Sequence, residues 1–346
     1  MRTFWDKQPV PQDGQNYEGG KEIEKEHVVV ETPHELPEGF VWCEPELKEA
    51  HTLINEYYVC DETFRLSYSF DTFKWAAEAP GYKNIGIREN DTNDLIGYIS
   101  SVPNKVRVCD DVLDMVQVNF LCVHEKFRSM GFVPLLISEM KRIANTNGIW
   151  QAYATAVAEL PGSIVKSRYW HRFLNVKNLM KTGFYKTDRP REKYFEVRGN
   201  SQFRQMKSKD VPKVTRILQN YFKKFKVAPV INKEWVKHWI LPIHSYVNDE
   251  NDDFISFYDI PYDRVDGTGT IRQAYTFHIV GDVYNDTFLI ARNLGYDVFN
   301  TLDVGHDNDS LEKLKFIKGT GSIYYYLFNW LPNSSISLED IQLKLP

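Results

Sequence analysis

Val116-Gln117-Val118-Asn119-Phe120-Leu121-Cys122-Val123-His124-Glu125-Lys126-Phe127-Arg128-Ser129-Met130-Gly131-Phe132-Val133-Pro134-Leu135-Leu136 reads as an apolar strand, a short basic turn and the start of a helix. Val133, Leu136, Ile137, Met140 and Ile143 recur at helical spacing and predict the buried face of that helix. Pro134 suits a first helical turn, where its missing N–H costs nothing. The free N–H groups of a helix N-terminus, with Arg128 beside them, make an anion site. Gly131 would let backbone amides come close to such a ligand. The same residues also fit an ordinary strand-to-helix turn.

Upstream, Glu46 to Tyr58 reads as a helix with Leu47, Ala50, Leu53, Ile54 and Tyr57 on one face, and Phe70 to Ala77 as a shorter one. Ile85 to Arg88 and Leu95 to Ser101 read as strands about the turn Asn90-Asp91-Thr92-Asn93, followed by the strand Met115 to Val123. Residues 11–38 are polar and punctuated by Gly and Pro, and read as an extended arm. Arg198-Gly199-Asn200-Ser201 is a plausible boundary. Beyond it the order starts again: helices at Val211 to Phe225 and Glu234 to Trp239, strands at Phe254 to Asp259 and Ala274 to Val280, a helix at Asp286 to Leu294 and a strand at Val298 to Leu302. Helix, helix, strands, helix, strand in both halves predicts an α+β architecture, with no repeat visible in the residues themselves. Asn248 to Asp253 reads as a solvated acidic hairpin tip.

The length, 346 residues, accommodates two domains, and 42% apolar residues suffice for a substantial core. A net charge of −5 argues against a broad nucleic-acid surface. Twenty Tyr, 21 Phe and 8 Trp suit a core and also a long apolar cleft. No run approaches the roughly 18 apolar residues of a membrane span, and the N-terminal residues lack an apolar signal region. Cys43, Cys60, Cys109 and Cys122 show neither zinc-ligand spacing nor a disulfide framework, so a cytoplasmic protein is expected. Asp303, Asp307 and Asp309 lack calcium-loop spacing, and Lys318-Gly319-Thr320-Gly321 reads as a glycine loop that is not a Walker motif. No metal is expected.

Arg128-x-x-Gly131-x-Val133 resembles the pyrophosphate loop of the GNAT acyl-CoA transferases, and Asn119-Phe120-Leu121-Cys122-Val123-His124 resembles the signature of the eukaryotic-type N-myristoyltransferases, a GNAT-like family. Further blocks agree in order: Phe4-Trp5-Asp6-Lys7-Gln8-Pro9-Val10-Pro11, Leu36 to Phe40, Gly97 to Ser100, Arg168-Tyr169-Trp170-His171-Arg172, Leu311 to Phe316 and Tyr325 to Trp330. The resemblance implies two GNAT-like halves with pseudo-twofold symmetry around a saddle-shaped mixed β-sheet flanked by helices. Residues 1–197 would bind myristoyl-CoA, as co-substrate rather than permanent cofactor; residues 198–346 would bind the peptide and carry the catalytic C-terminus. It implies transfer of myristate to glycine-initiated protein N-termini by a monomer. The long N-terminal extension of many members, and tethering to ribosomes through it, is not expected.

The resemblance also assigns residues. The amides of Phe120 and Leu121 would form the oxyanion hole, the carboxylate of Pro346 would be the general base, and Asn119 and Thr155 would hold the glycine nitrogen. The alternating apolar Ile341, Leu343 and Leu345 predict a terminal strand that is tied down. Phe4 and Trp5 would pack near the thioester, with Arg128, Ser129, Gly131 and Val133 at the CoA phosphates. Tyr58, Tyr169, His171, Phe184 and Asp303 would contact the peptide, with Asp61 and Glu62 for a basic residue further along. This chain departs from the family where Met130, Gly131 and Glu125 replace cations, Cys60 replaces an acid, Ala154 a Tyr and Thr320 an Asp. Two alternatives remain: a GNAT-type acyltransferase acting on lysine or a small amine, and a non-catalytic acyl-CoA-binding relative.

Overall fold

The computed structural model describes residues 2–11 and 20–344. In chain order the strands are β1 Phe40–Cys43, β2 Phe64–Leu66, β3 Lys83–Glu89, β4 Leu95–Val108, β5 Asp111–Val123, β6 Gln151–Ala156, β7 Ser163–Phe173, β8 Arg204–Gln205, β9 Val227–Pro229, β10 His244–Val247, β11 Phe254–Asp259, β12 Tyr262–Arg264, β13 Thr270–Ile271, β14 Gln273–Val280, β15 Val298–Leu302 and β16 Ile317–Phe328. The helices are α1 Arg2–Trp5, α2 Leu47–Tyr57, α3 Phe70–Ala77, α4 Phe132–Thr146, α5 Val176–Lys181, α6 Glu192–Phe195, α7 Val211–Phe222, α8 Lys233–Trp239, α9 Tyr284–Asn293 and α10 Asn308–Lys313. They gather into two compact units that are discontinuous in sequence. One holds residues up to Cys60, Phe73–Lys166 and Ile323–Ser337; the other holds Asp61–Thr72, Ser167–Ser322 and the residues from Leu338 onward.

The first unit is built on a mixed sheet in the order β1-β3-β4-β5-β6-β16. The long β4–β5 hairpin turns at Cys109, which takes a left-handed φ of 57°. β4 runs past the expected end at Ser101 and through Pro103; the β3 ladder stops at Lys83 opposite Ser101, so the missing proline N–H removes no bond to β3. β5 and β6 are parallel, which requires a crossover, and α4 supplies it. Phe132, Leu136 and Met140 of α4 pack on Ile85, Ile87, Ile96, Ile99 and Val123 of the sheet. Val133, Ile137 and Ile143 are only half-buried, whereas Glu139 is buried on the same helix. Burial alone would raise the Glu139 carboxyl, but the Arg142 guanidinium at 2.6 Å and the His34 ring and N–H more than offset this and hold it below its usual range. The same contact anchors the extended arm to α4.

The second unit repeats the plan. Its sheet runs β7-β15-β14-β11-β10-β8, and its parallel pair β14–β15 is joined by α9. Phe257, Phe299, Phe288 and Tyr284 fill the core between the sheet and α9. Segment 61–72 belongs here because β2 pairs with β12 in a small β13-β12-β2 sheet. Each unit thus holds four antiparallel strands, a helix, and a strand parallel to the last of the four. The acidic tip at Asn248 to Asp253 is not merely solvated, since Arg204 binds Asp249 and Arg216 binds Asp252, each at 2.7 Å. Among the described residues the terminal segment forms no strand. It makes one parallel bridge, Ile341 to Val227, with the Gln342 N–H donating to the Val227 carbonyl at 2.8 Å, and buries Ile341 and Leu343. Leu345 and Pro346 lie outside the described residues.

Candidate active site

β5 carries a defect where the chemistry is expected. Tyr98 of β4 lies opposite Cys122 and Ser100 opposite Asn119, so two residues of β5, Phe120 and Leu121, span the place of one, Ile99. This is a β-bulge, which bends the strand and re-aims its backbone groups. Phe120 adopts φ 51°, a left-handed conformation that costs a residue with a Cβ about 1–2 kcal/mol. Its ring is buried, 4.9 Å from that of Phe73 and 5.7 Å from that of Tyr58, and this packing holds the conformation. The ladder between β5 and β6 ends at Gln117 and Tyr153, so the bulge lies just beyond the point where the parallel strands part.

The register also brings Asn119 and Thr155 to one level. Each lies two residues beyond the last pair, Gln117–Tyr153, and alternation puts both on the face that Gln117 and Tyr153 occupy. Asn119 is buried; its Oδ1 accepts from Gln117 Nε2 at 3.0 Å and its Nδ2 donates to the Ala76 carbonyl at 3.3 Å. Thr155 is half-buried in β6.

Downstream, Glu125–Met130 forms a tight helical turn. His124 caps it, its Nδ1 accepting from the Lys126 N–H at 3.2 Å. Gly131 has φ 80°, and a Cβ built there meets no atom within 4 Å. Backbone conformation, not crowding within the protein, is therefore what requires glycine. Arg128 donates to the carbonyls of Val123 (3.1 Å) and Tyr57 (2.6 Å), so its guanidinium is partly committed to tying the turn to α2. Ser129 and Met130 are exposed, and Val133 packs against the α4 cluster. Phe4 and Trp5 meet edge-to-face at 5.3 Å, and the buried Trp5 indole N–H has no acceptor among the described residues.

The second unit collects the residues expected at the peptide, except Tyr58, which belongs to the first. His171 Nδ1 lies 2.7 Å from Asn300 Oδ1, and Asn300 Nδ2 donates to Gln273 Oε1 at 2.8 Å. With Asn300 so oriented its Oδ1 accepts from the ring, which puts the proton on Nδ1 and leaves Nε2 as an acceptor. Burial lowers the His171 pKa, more than the Asn300 bond raises it, and keeps the ring neutral. Phe184 packs edge-on to His171 at 5.7 Å, and Tyr169 edge-on to Tyr275 at 6.4 Å. Asp303 is buried, its Oδ1 accepting from Ser167 Oγ (2.7 Å) and the Arg168 N–H (2.9 Å). At Asp61, burial pushes the carboxyl up, but the N–H groups of Phe64 and Thr63, each at 2.7 Å, outweigh it and hold the group low. Glu62 is exposed. Lys318 to Gly321 lies within strand β16 rather than in a loop. A Cβ at Gly319 would stand 2.5 Å from His171 Nε2 and 2.8 Å from the Tyr169 carbonyl.

Family models described as the N-terminal and C-terminal domains of myristoyl-CoA:protein N-myristoyltransferase match residues 21–167 and 191–342. The chain belongs to this acyltransferase family. It is 36% identical to glycylpeptide N-tetradecanoyltransferase 2 of Bos taurus, over 94% of this chain and 73% of that one. It is 34% identical to glycylpeptide N-tetradecanoyltransferase 1 of Arabidopsis thaliana, over 99% and 88%. A crystal structure of Saccharomyces cerevisiae N-myristoyltransferase with bound myristoyl-CoA matches with a TM-score of 0.91 at 28% identity, covering 99% of this chain and 92% of that one.

The turn expected at the CoA phosphates is sparsely charged for this family. Met130 is exposed where the family resemblance leads one to expect a cation, and Arg128 is shared with backbone carbonyls. Sequence reasoning missed Gln117, Ala76, Asn300 and Gln273, and placed Gly319 in a glycine loop rather than in a strand against His171. Only Gly319 carried a local signal, since glycine inside a strand often marks a close approach of another group. Among the described residues no His, Cys, Asp and Glu cluster could hold a metal, and no helix is long and apolar enough to cross a membrane.

Proposed function

We propose that this N-myristoyltransferase family member transfers myristate from myristoyl-CoA to the amine of an N-terminal glycine. The bulge at Phe120 and Leu121, beside Asn119 and Thr155 in register, carries the reading. Free of its proton, the glycine nitrogen attacks the thioester carbonyl carbon, a C–N bond forms, and the C–S bond breaks. Of the two protons lost by the ammonium, one ends on the departing CoA thiol and one leaves through the base. The Phe120 and Leu121 amides receive the developing oxyanion, since backbone donors fixed in place before charge appears need no reorganisation. Asn119 Oδ1, which keeps a second lone pair beside its bond from Gln117, and Thr155 hold the nitrogen.

The base is the carboxylate of Pro346, on the family resemblance alone. Phe4, Trp5, Arg128, Ser129, Gly131 and Val133 serve the CoA side, within residues 1–197. Tyr169, His171, Phe184 and Asp303 serve the peptide, with Tyr58, and Asp61 and Glu62 take a basic residue. In this reading residues 198–346 carry most of the peptide site, and the enzyme works as a cytoplasmic monomer.

The test is mass spectrometry of a Gly-x-x-x-Ser peptide incubated with myristoyl-CoA, beside an N-terminally blocked peptide and one beginning with alanine. Acylation of the free glycine peptide alone is expected. The alanine peptide should lose about 3 kcal/mol of transition-state binding, because one methyl group moves the nitrogen out of attack geometry. Acylation of the blocked peptide at lysine would give the reaction to a GNAT-type side-chain acyltransferase, and binding without turnover would make the protein an acyl-CoA carrier.

A further inference from the structure

A chain of buried hydrogen bonds leads away from Asn119 through residues that the catalytic reading does not use. Asn104 Nδ2 donates to the Tyr153 phenol oxygen (2.8 Å), the Tyr153 hydroxyl donates to Gln117 Oε1 (2.7 Å), Gln117 Nε2 donates to Asn119 Oδ1 (3.0 Å), and Asn119 Nδ2 donates to the Ala76 carbonyl (3.3 Å). Tyr153, Gln117 and Asn119 are all buried, so none of these groups can exchange its partner for bulk water.

The direction of the chain is set at its Ala76 end and is matched at Tyr153. The Ala76 carbonyl can only accept, so Asn119 must turn its amide nitrogen to α3 and its oxygen to Gln117. Gln117 must then turn its nitrogen to Asn119 and its oxygen to Tyr153. The phenol has one proton, and burial, which pushes its pKa up, keeps that proton in place to be donated. Reversing the Asn119 amide would set two acceptors face to face at Ala76 and two donors at Gln117, and reversing Gln117 would set two acceptors face to face at Asn119.

We infer that Gln117 and Tyr153 are positioning residues for acyl transfer, which act by fixing the Asn119 carboxamide with its oxygen available to the glycine nitrogen. The inference rests on the reading that Asn119 holds that nitrogen. Without the Tyr153 hydroxyl, Gln117 Oε1 loses its donor, Gln117 is anchored on one side only, and the Asn119 carboxamide is held less firmly where it meets the substrate.

The experiment is a double-mutant cycle read by single-turnover acyl transfer to a glycine peptide, with myristoyl-CoA affinity and thermal melting measured alongside. Tyr153→Phe keeps the ring and should slow the chemical step about tenfold in the otherwise native enzyme, with myristoyl-CoA affinity unchanged. In an Asn119→Ala background the same substitution should slow it no further, because its only route to the substrate is gone. Gln117→Met, close in shape and unable to donate, should behave alike and serves if Tyr153→Phe fails to fold. Equal slowing in both backgrounds, or full rate in the Tyr153→Phe and Gln117→Met enzymes while Asn119→Ala is slow, overturns the inference and leaves the role of Asn119 standing. A full-rate Asn119→Ala enzyme would instead remove the reading beneath it.

Discussion

Two glycines show how differently the same residue type can be required. Gly131 stands in open space at φ 80°, so a substitution there is strained by its backbone and not by its neighbours. Gly131→Asn should be tolerated best, Gly131→Ala should cost about 1 kcal/mol, and Gly131→Val more, because Asn visits this conformation readily and a β-branched residue does not. Calorimetric melting checks the order, and titration with myristoyl-CoA should show affinity falling in the same order as the turn is disturbed. At the adjoining exposed position, Met130→Lys adds one cation and should tighten CoA binding by about 0.5–1 kcal/mol, more at low salt. Gly319 is the opposite case, with ordinary backbone and no room. Gly319→Ala must push the His171 ring or the Tyr169 carbonyl aside, and overpacking of this kind costs about 1–3 kcal/mol. Peptide KM should rise about tenfold or more while myristoyl-CoA affinity stays unchanged, and steady-state kinetics in each substrate will show whether the effects separate.

At the scale of elements, β5 does two jobs along its length. Its first part is a regular ladder member between β4 and β6, and its last residues leave β6, bulge against β4 and enter the turn that starts α4. One strand thus carries the proposed oxyanion donors and leads into the turn proposed for the CoA phosphates. The terminal segment is a weaker element. One bridge, the Gln342–Val227 bond, the Lys226–Asp340 pair at 3.1 Å and the buried Ile341 and Leu343 hold it as far as it is described. These contacts hold the chain up to Lys344, short of Pro346, the base proposed above. Deleting Pro346 would withdraw the carboxylate by up to ~3.8 Å, beyond the roughly 2.6–3.2 Å that proton transfer requires. A C-terminal tag would replace it with a neutral amide. Both should lower kcat about 10²-fold with little effect on myristoyl-CoA affinity. Rapid-quench measurement of the chemical step decides, and full-rate transfer by the tagged protein would give the base role to another group.

For the molecule as a whole, the two units share one plan but differ in what they bury. The second unit encloses basic groups. Burial, aided by nearby lysines, takes His306 down to about 3 and His278 well below its usual value. Both rings are therefore neutral in the fold and accept protons near their ordinary pKa of ~6.5 when unfolded. The unfolded chain binds more protons in that window, so the stability lost to these rings is nil above about pH 6.5 and grows as pH drops toward the folded values. Burial also lowers Lys344 to about 7, which extends the same slope upward, with stability rising between about pH 7 and the unfolded lysine value of ~10.4. The melting temperature should therefore fall on acidification from about pH 8 to pH 5.5. His306→Gln, which can still face the Tyr284 hydroxyl 3.1 Å away, should recover about 1 kcal/mol at the acid end and nothing at pH 8. Scanning calorimetry of both proteins across that range checks the sign.

The residues by themselves determined a number of the elements, because side-chain period is a local property: the strand, turn and helix of 116–136, and the strands Phe254–Asp259 and Val298–Leu302, stand where the pattern puts them, whereas β6, β7 and β16 were not read from it. They also determined the family, through blocks spread along the chain. What the pattern could not hold was anything set by a partner distant in sequence. A bulge exists only relative to the opposing strand, so nothing in Asn119-Phe120-Leu121 announces the left-handed φ at Phe120. Glu139 sits on a buried helix face because Arg142 and a histidine of the arm neutralise it, and apolar counting alone would leave it out. Segment 61–72 joins the second unit because β2 finds its pairing partner in β12, some two hundred residues later in the chain. Gln117 and Tyr153 read as unremarkable strand residues until parallel register sets them side by side beneath Asn119 and Thr155. Local sequence fixes which face a side chain takes, and only the packed sheet decides what it meets there.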